Sequence, residues 1–166
     1  MNTNSNTYTL IYATVMVVIV ALVLALVSGS LKEIQTANVE LDKKKQILAT
    51  LNIESEGQDI EQLYDQYIVE QLVVNADAEV IENPEVDAFY IEIKKELSKQ
   101  LEERALPIYV AKVNGETKYI ISLYGAGLWG PIWGYVSLNE DRNTIFGTYF
   151  SHASETPGLG AEISGD

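Results

Sequence analysis

The run YTLIYATVMVVIVALVLALV, Tyr8 to Val27, holds twenty residues without a charge. At ~1.5 Å per residue a helix of this length spans ~30 Å, the hydrocarbon thickness of a bilayer. Ala, Leu and Val permit a helix, and a helix satisfies its own backbone polar groups in lipid. Tyr8 and Tyr12 stand near one end, where a ring with a polar tip suits a membrane interface. A cleaved signal peptide has a basic start and a shorter apolar core. Here MNTNSNTYT contains no Lys or Arg. LALVSGS offers small residues for cleavage, yet a retained anchor fits the run better.

Lys32, Lys43, Lys44 and Lys45 follow the span and no basic residue precedes it, which taken alone favours a cytoplasmic domain. Glu33, Glu40 and Asp42 are mixed among them and weaken that argument. The expected organisation is a short tail over 1–7, a transmembrane helix over 8–27, a juxtamembrane helix over 28–52 and a domain over 53–166. In the juxtamembrane stretch Leu31, Ile34, Val39, Leu41, Ile47, Leu48 and Leu51 recur at helical spacing. Either this helix packs on its own sheet, the favoured reading, or it binds a partner.

The chain carries 24 acidic against 11 basic residues, a formal net charge of −13. That field repels a polyanion, so nucleic acid is not an expected partner. Cysteine is absent, which excludes disulfides, thiolate metal sites and cysteine nucleophiles. The acids between Gly57 and Arg104 read as a solvated face, with no catalytic or metal role. Within that region Asp59 is placed to cap a helix through Leu63, Tyr67 and Val69. AFYIEI reads as a short strand, and IKKELSKQLEER as a charged helix or helix-like excursion.

Near Leu106 the pattern changes. LPIYVAKV, then Asn114-Gly115, then TKYIISLYG reads as strand, turn, strand, and Asn-Gly favours a type I′ hairpin. IWGYVSL, NEDRN and TIFGTYF repeat the arrangement. The expected fold is α+β: an N-terminal transmembrane helix, then an antiparallel sheet with flanking helices. His152 is the sole histidine and reads as a hydrogen-bonded residue at a strand end, with no metal site expected.

Two separate blocks, GAGLWGPIWGYVSL (Gly125–Leu138) and SHASETPGLGAEI (Ser151–Ile163), carry a resemblance. In this order they resemble the flavin domain of the C subunit of the sodium-translocating NADH:quinone reductase. The likeness covers most of the chain and is strongest from Leu106 to Ile163. The G subunit of the related ion-translocating electron-transport complex is similar in its ETPGLG loop, whereas GLWGPIWGY favours the C subunit of the reductase. The resemblance implies FMN as cofactor and an antiparallel-sheet FMN-binding domain. It also implies other membrane and redox subunits of the reductase as partners, beside membrane lipid. It places the chain in the bacterial cytoplasmic (inner) membrane, single-pass, with its soluble domain on the extracytoplasmic side. The implied task is electron relay within an oxidoreductase complex, with no catalytic side chain and with this chain alone inactive.

The family attaches FMN through its phosphate to a threonine in a Ser-Gly-Ala-Thr-x-Thr motif downstream of ETPGLGAEI. This sequence departs there, because Ser164-Gly165 is followed by Asp166. The acceptor threonine is therefore expected beyond residue 166, and Thr144, Thr148 and Thr156 are not expected to replace it. The residues expected against the flavin are Glu155, Thr156, Gly158, Leu159, Gly160 and Trp129. Pro157 fixes φ, while Gly158 and Gly160 let backbone lie close to a ring. Alternation would aim Trp129 and Trp133 at one face of an extended segment. Trp133 is expected in the core and Trp129, in the Gly-rich turn, beside the ring. The rival of another class is a non-catalytic membrane-anchored binding or assembly module.

Overall fold

The computed structural model describes residues 5–82 and 86–164. The chain divides into two compact units, Met1–Glu40 and Leu41–Asp166. A single helix α1, Asn6–Ala49, contributes to both. In the first unit it is long and apolar enough to cross a membrane, and its apolar window is wholly exposed. No break separates a span from a juxtamembrane helix. Ser28-Gly29-Ser30 continue the helical hydrogen-bond ladder, and Ser30 Oγ donates to the Val27 carbonyl at 2.9 Å. Of the expected apolar juxtamembrane set, Leu31, Ile34 and Val39 are exposed. Packing begins only at Leu41, where helical spacing meets a sheet.

In the second unit five strands form one antiparallel sheet in the order β1-β2-β3-β4-β5. They are β1 Ile68–Val74, β2 Leu106–Val113, β3 Glu116–Ala126, β4 Pro131–Leu138 and β5 Ile145–His152. The expected α+β class and the four-strand meander over β2–β5 are borne out. Asn114 and Gly115 both take positive φ, at 53° and 86°, as a type I′ turn requires. That twist matches the flanking strands and sets the register Val113↔Glu116 through Ile108↔Ile121.

Asp59 caps α2, Ile60–Tyr67, accepting from the Glu61 and Gln62 amides. The helix stops at Tyr67, so Val69 lies in β1 and not in the expected helix. The β-branched, aliphatic run from Ile68 gains a ladder with β2, from Ile68↔Ala111 to Val74↔Leu106, that a longer helix would forfeit. AFYIEI is not a strand. Asp87 Oδ1 accepts from the Phe89 amide at 2.8 Å and winds Ala88–Tyr90 into a 3-10 turn, after which Ile93–Leu97 forms α3.

The core lies between one sheet face and the end of α1. Ile47, Leu48 and Leu51 pack with Ile60, Tyr64 and Phe89 against Tyr109, Ala111, Ile120 and Tyr135. Period-two alternation puts these sheet residues on one face, since Tyr109 pairs with Ile120 and Ile120 with Ser137. Burial, with the charges of Asp42 and Tyr149, pushes the Tyr135 phenol up to about 12. The core ends at Tyr135. Trp133 is half-buried, against the expectation that it packs in the core, because it lies one pleat beyond the reach of α1 and α2.

Candidate functional site

The two sequence blocks meet at one end of the sheet. β3 and β4 are joined by the loop Gly127–Gly130, closed by the Gly127 amide donating to the Gly130 carbonyl at 2.8 Å. Trp129 sits in this turn, so it does not share an extended face with Trp133. β5 ends at His152, and the chain then passes beside that loop. The Ala153 amide donates to the Pro131 carbonyl at 3.0 Å. The backbone of Trp129 is gripped from both sides. Ser154 Oγ donates to its carbonyl at 2.7 Å, and its amide donates to Glu155 Oε1 at 3.1 Å.

Beyond Glu155 the chain makes a tight turn. The Leu159 and Ala161 amides both donate to the Thr156 carbonyl at 3.1 Å. Pro157 supplies its fixed φ and Gly158 takes φ 73°, the arrangement of a type II turn. A short 3-10 helix, Gly160–Ser164, follows. His152 Nδ1 accepts from the Glu155 amide at 3.2 Å and holds the start of the segment to the strand end.

The Glu155 carboxylate is seated against two glycines. A Cβ on Gly127 would lie 2.2 Å from Glu155 Oε1, and one on Gly160 would lie 2.7 Å from Oε2. Real side chains do not approach so closely, so both positions must lack a Cβ if the carboxylate is to stay. The large apolar groups of the two loops point outward instead. Leu128 is 82% exposed, Trp129 65% and Leu159 73%. Thr156, Gly158 and Gly160 are exposed beside them. Next to the loop, Leu123, Tyr124, Gly125, Ile132, Trp133 and Phe150 line an open, mostly apolar depression of about 210 Å³.

All six residues expected at the site, Trp129, Glu155, Thr156, Gly158, Leu159 and Gly160, fall on these two tied loops. Sequence reasoning missed Ser154 and Gly127. The pairing of a Gly-rich turn with a following Ser-Glu was the available signal, but it acts across 25 residues of chain. A flat, largely apolar ring with polar edges fits an exposed Trp and Leu flanked by open backbone and a threonine hydroxyl. Large apolar side chains exposed on neighbouring loops are otherwise a liability in water.

Residues 127–165 match the FMN-binding domain. The chain is 30% identical to the C subunit of the Na(+)-translocating NADH-quinone reductase of Vibrio parahaemolyticus, over 86% of this chain and 62% of that protein. It is 28% identical to the C subunit of the Haemophilus ducreyi reductase, over 98% of this chain and 69% of that protein. The crystal structure of the C subunit from Parabacteroides distasonis superposes with a TM-score of 0.74 at 44% identity, covering 81% of this chain and 64% of that one. The chain thus spans about 62% of the length of the Vibrio relative. The resemblance read from the two blocks is borne out: the chain is similar in sequence and in fold to the C subunit of the Na(+)-translocating NADH-quinone reductase.

Proposed function

We propose that the chain is a membrane-anchored flavin subunit of a respiratory, sodium-translocating NADH:quinone oxidoreductase. The observation that carries this reading is the pair of tied loops with Trp129 and Leu159 turned outward, within the segment that matches the FMN-binding domain. FMN, when bound, would supply the one-electron transfer.

Trp129 and Leu159 would take the apolar faces of the ring, and the Thr156 hydroxyl with the Gly158 and Gly160 backbone would serve its polar edges. Glu155 would support this wall from behind, through its bond to the Trp129 amide. Backbone donors near a flavin tune its reduction potential, so the loop would set energy as well as place. The apolar stretch of α1 would anchor the protein beside the other membrane and redox subunits, in the bacterial cytoplasmic membrane. The sheet domain would stand on the extracytoplasmic side.

The test is purification of the complex from membranes with an affinity tag on this chain. The reading expects flavin absorbance, NADH:quinone reductase activity that depends on sodium, and loss of both when the chain is deleted. Activity that survives the deletion would remove the chain from the electron path.

A further inference from the structure

We infer that Glu155 is a positioning residue that acts through the backbone of Trp129 and does not touch the flavin ring; this rests on the flavin reading above. A carboxylate in a cofactor loop is ordinarily a candidate for direct contact with the cofactor. Here its geometry is committed elsewhere. Oε1 accepts from the Trp129 amide at 3.1 Å, and the two oxygens fill the spaces that Gly127 and Gly160 leave open. The side chain is half-buried while its neighbours Ser154 and Thr156 are exposed.

The clamp has a second jaw. Ser154 Oγ holds the Trp129 carbonyl at 2.7 Å, so both polar groups of one residue's backbone are fixed by adjacent side chains of the other loop. A Cβ on Gly130 would meet Ser154 Oγ at 2.5 Å, so this jaw also closes onto a glycine. His152 Nδ1 fixes the Glu155 amide at 3.2 Å and thereby ties the clamp to the end of β5. Trp129, 65% exposed, has little packing of its own to hold its indole in place. The clamp holds its backbone, and with it the direction in which the Cα–Cβ bond presents the indole. The ring that stacks on it would then be ordered by residues it never meets.

This assignment separates Glu155→Gln from Glu155→Ala. Gln keeps an oxygen acceptor of the same reach for the Trp129 amide, whereas Ala removes it. If the carboxylate acted by its charge on the flavin, both variants would move the midpoint potential alike.

The experiment uses the full chain in detergent with Trp133→Phe, which leaves Trp129 as the sole tryptophan. Fluorescence anisotropy decay without flavin reads the local motion of Trp129. Faster, wider motion is expected in Glu155→Ala and in Ser154→Ala, with Glu155→Gln like the parent. FMN is then titrated. Glu155→Ala is expected to weaken binding by about 3–10-fold, the span of one hydrogen bond that a neutral oxygen can also accept. Glu155→Gln is expected to retain both affinity and potential. Unchanged anisotropy in Glu155→Ala overturns the clamp whatever FMN does. A potential shifted equally by Gln and Ala also overturns it, in favour of direct contact. Failure of FMN to bind the parent, with the anisotropy pattern intact, upholds the clamp and refutes the flavin reading instead.

Discussion

Ser137 Oγ donates to the carbonyl oxygen of Thr50 at 2.6 Å, with the Gly147 carbonyl 3.1 Å away. Both residues are fully buried. The contact joins the end of α1 to β4, two residues from Tyr135 and four from Trp133 on the same face. Thr50 Oγ1 donates to the Ile47 carbonyl at 2.7 Å, and the Ser137 hydroxyl is the donor that reaches the Thr50 carbonyl. Ser137→Ala leaves a buried acceptor without its donor and should cost about 1–3 kcal/mol. Urea unfolding of the purified chain, followed by far-UV circular dichroism, measures it. A midpoint unchanged from the parent would show that the contact does not hold the helix end to the sheet.

Leu159 separates binding from stability. It is 73% exposed, so Leu159→Ala should change unfolding free energy by no more than about 0.5 kcal/mol. Its loss should nevertheless lower FMN affinity, because the apolar contact it offers is made only with a ligand. Paired thermal melts and FMN titrations check this. Equal stability with equal affinity would take Leu159 out of the site.

Gly158 tests the turn. Its φ of 73° is one that β-branched residues avoid. Nothing lies within 4 Å of a Cβ placed there, so the penalty of Gly158→Val is conformational and not a clash. It should cost about 1–3 kcal/mol or remodel the loop. Gly158→Asn, which tolerates this region, should restore the parent's melting temperature and FMN affinity. Equal behaviour of Val and Asn would refute the strain argument.

Glu96 gives the domain an acid-sensitive contact. Burial pushes its carboxyl up, but the hydrogen bond from Lys99, the Ala105 amide and the Lys99 charge together hold it below the usual carboxylate range. Lys99 Nζ lies 2.7 and 2.8 Å from its two oxygens, and the Ala105 amide 3.0 Å from Oε2. A folded-state value below the unfolded one favours the fold above the unfolded pKa, near ~4.3 for Glu. That stability is lost as pH falls through the lowered folded value. Glu96→Gln should therefore destabilise at neutral pH and flatten the acid limb of a stability–pH curve. An acid limb as steep as the parent's would show that other carboxylates govern it.

Orientation is tested with a single cysteine. The chain has none, and Glu140 is exposed in the turn between β4 and β5. Glu140→Cys in intact cells should react with a membrane-impermeant maleimide. Labelling only after lysis would place the domain inside and restore the argument from the lysines after the span.

The meander was legible in the sequence because its signals are local. Asn114-Gly115 dictates its own φ values, and the flanking runs alternate. β1 was not legible. YDQYIVEQLVV has no Gly or Pro where helix gives way to strand, and Ile68 finds its partner Ala111 far along the chain. The chain stays helical through the stretch after Val27. Ser28-Gly29-Ser30 weaken a helix, yet they are too few to stop one with strong formers on either side. The two loops were legible as turns, since Pro-Gly and Gly-rich stretches permit the backbone that tight turns need. The use made of Glu155 was not, because its partner Trp129 lies 26 residues earlier.

The central claim is that FMN meets this chain at the two tied loops. The direct measurement is a heteronuclear NMR titration of the isotope-labelled full chain in detergent micelles with FMN. The account predicts saturable shift changes at residues 127–130 and 153–160, largest at the Trp129 indole and the Leu159 methyl groups, and abolished by Trp129→Ala with Leu159→Ala. Shift changes confined to other surfaces, or none up to the solubility limit of FMN, would contradict it.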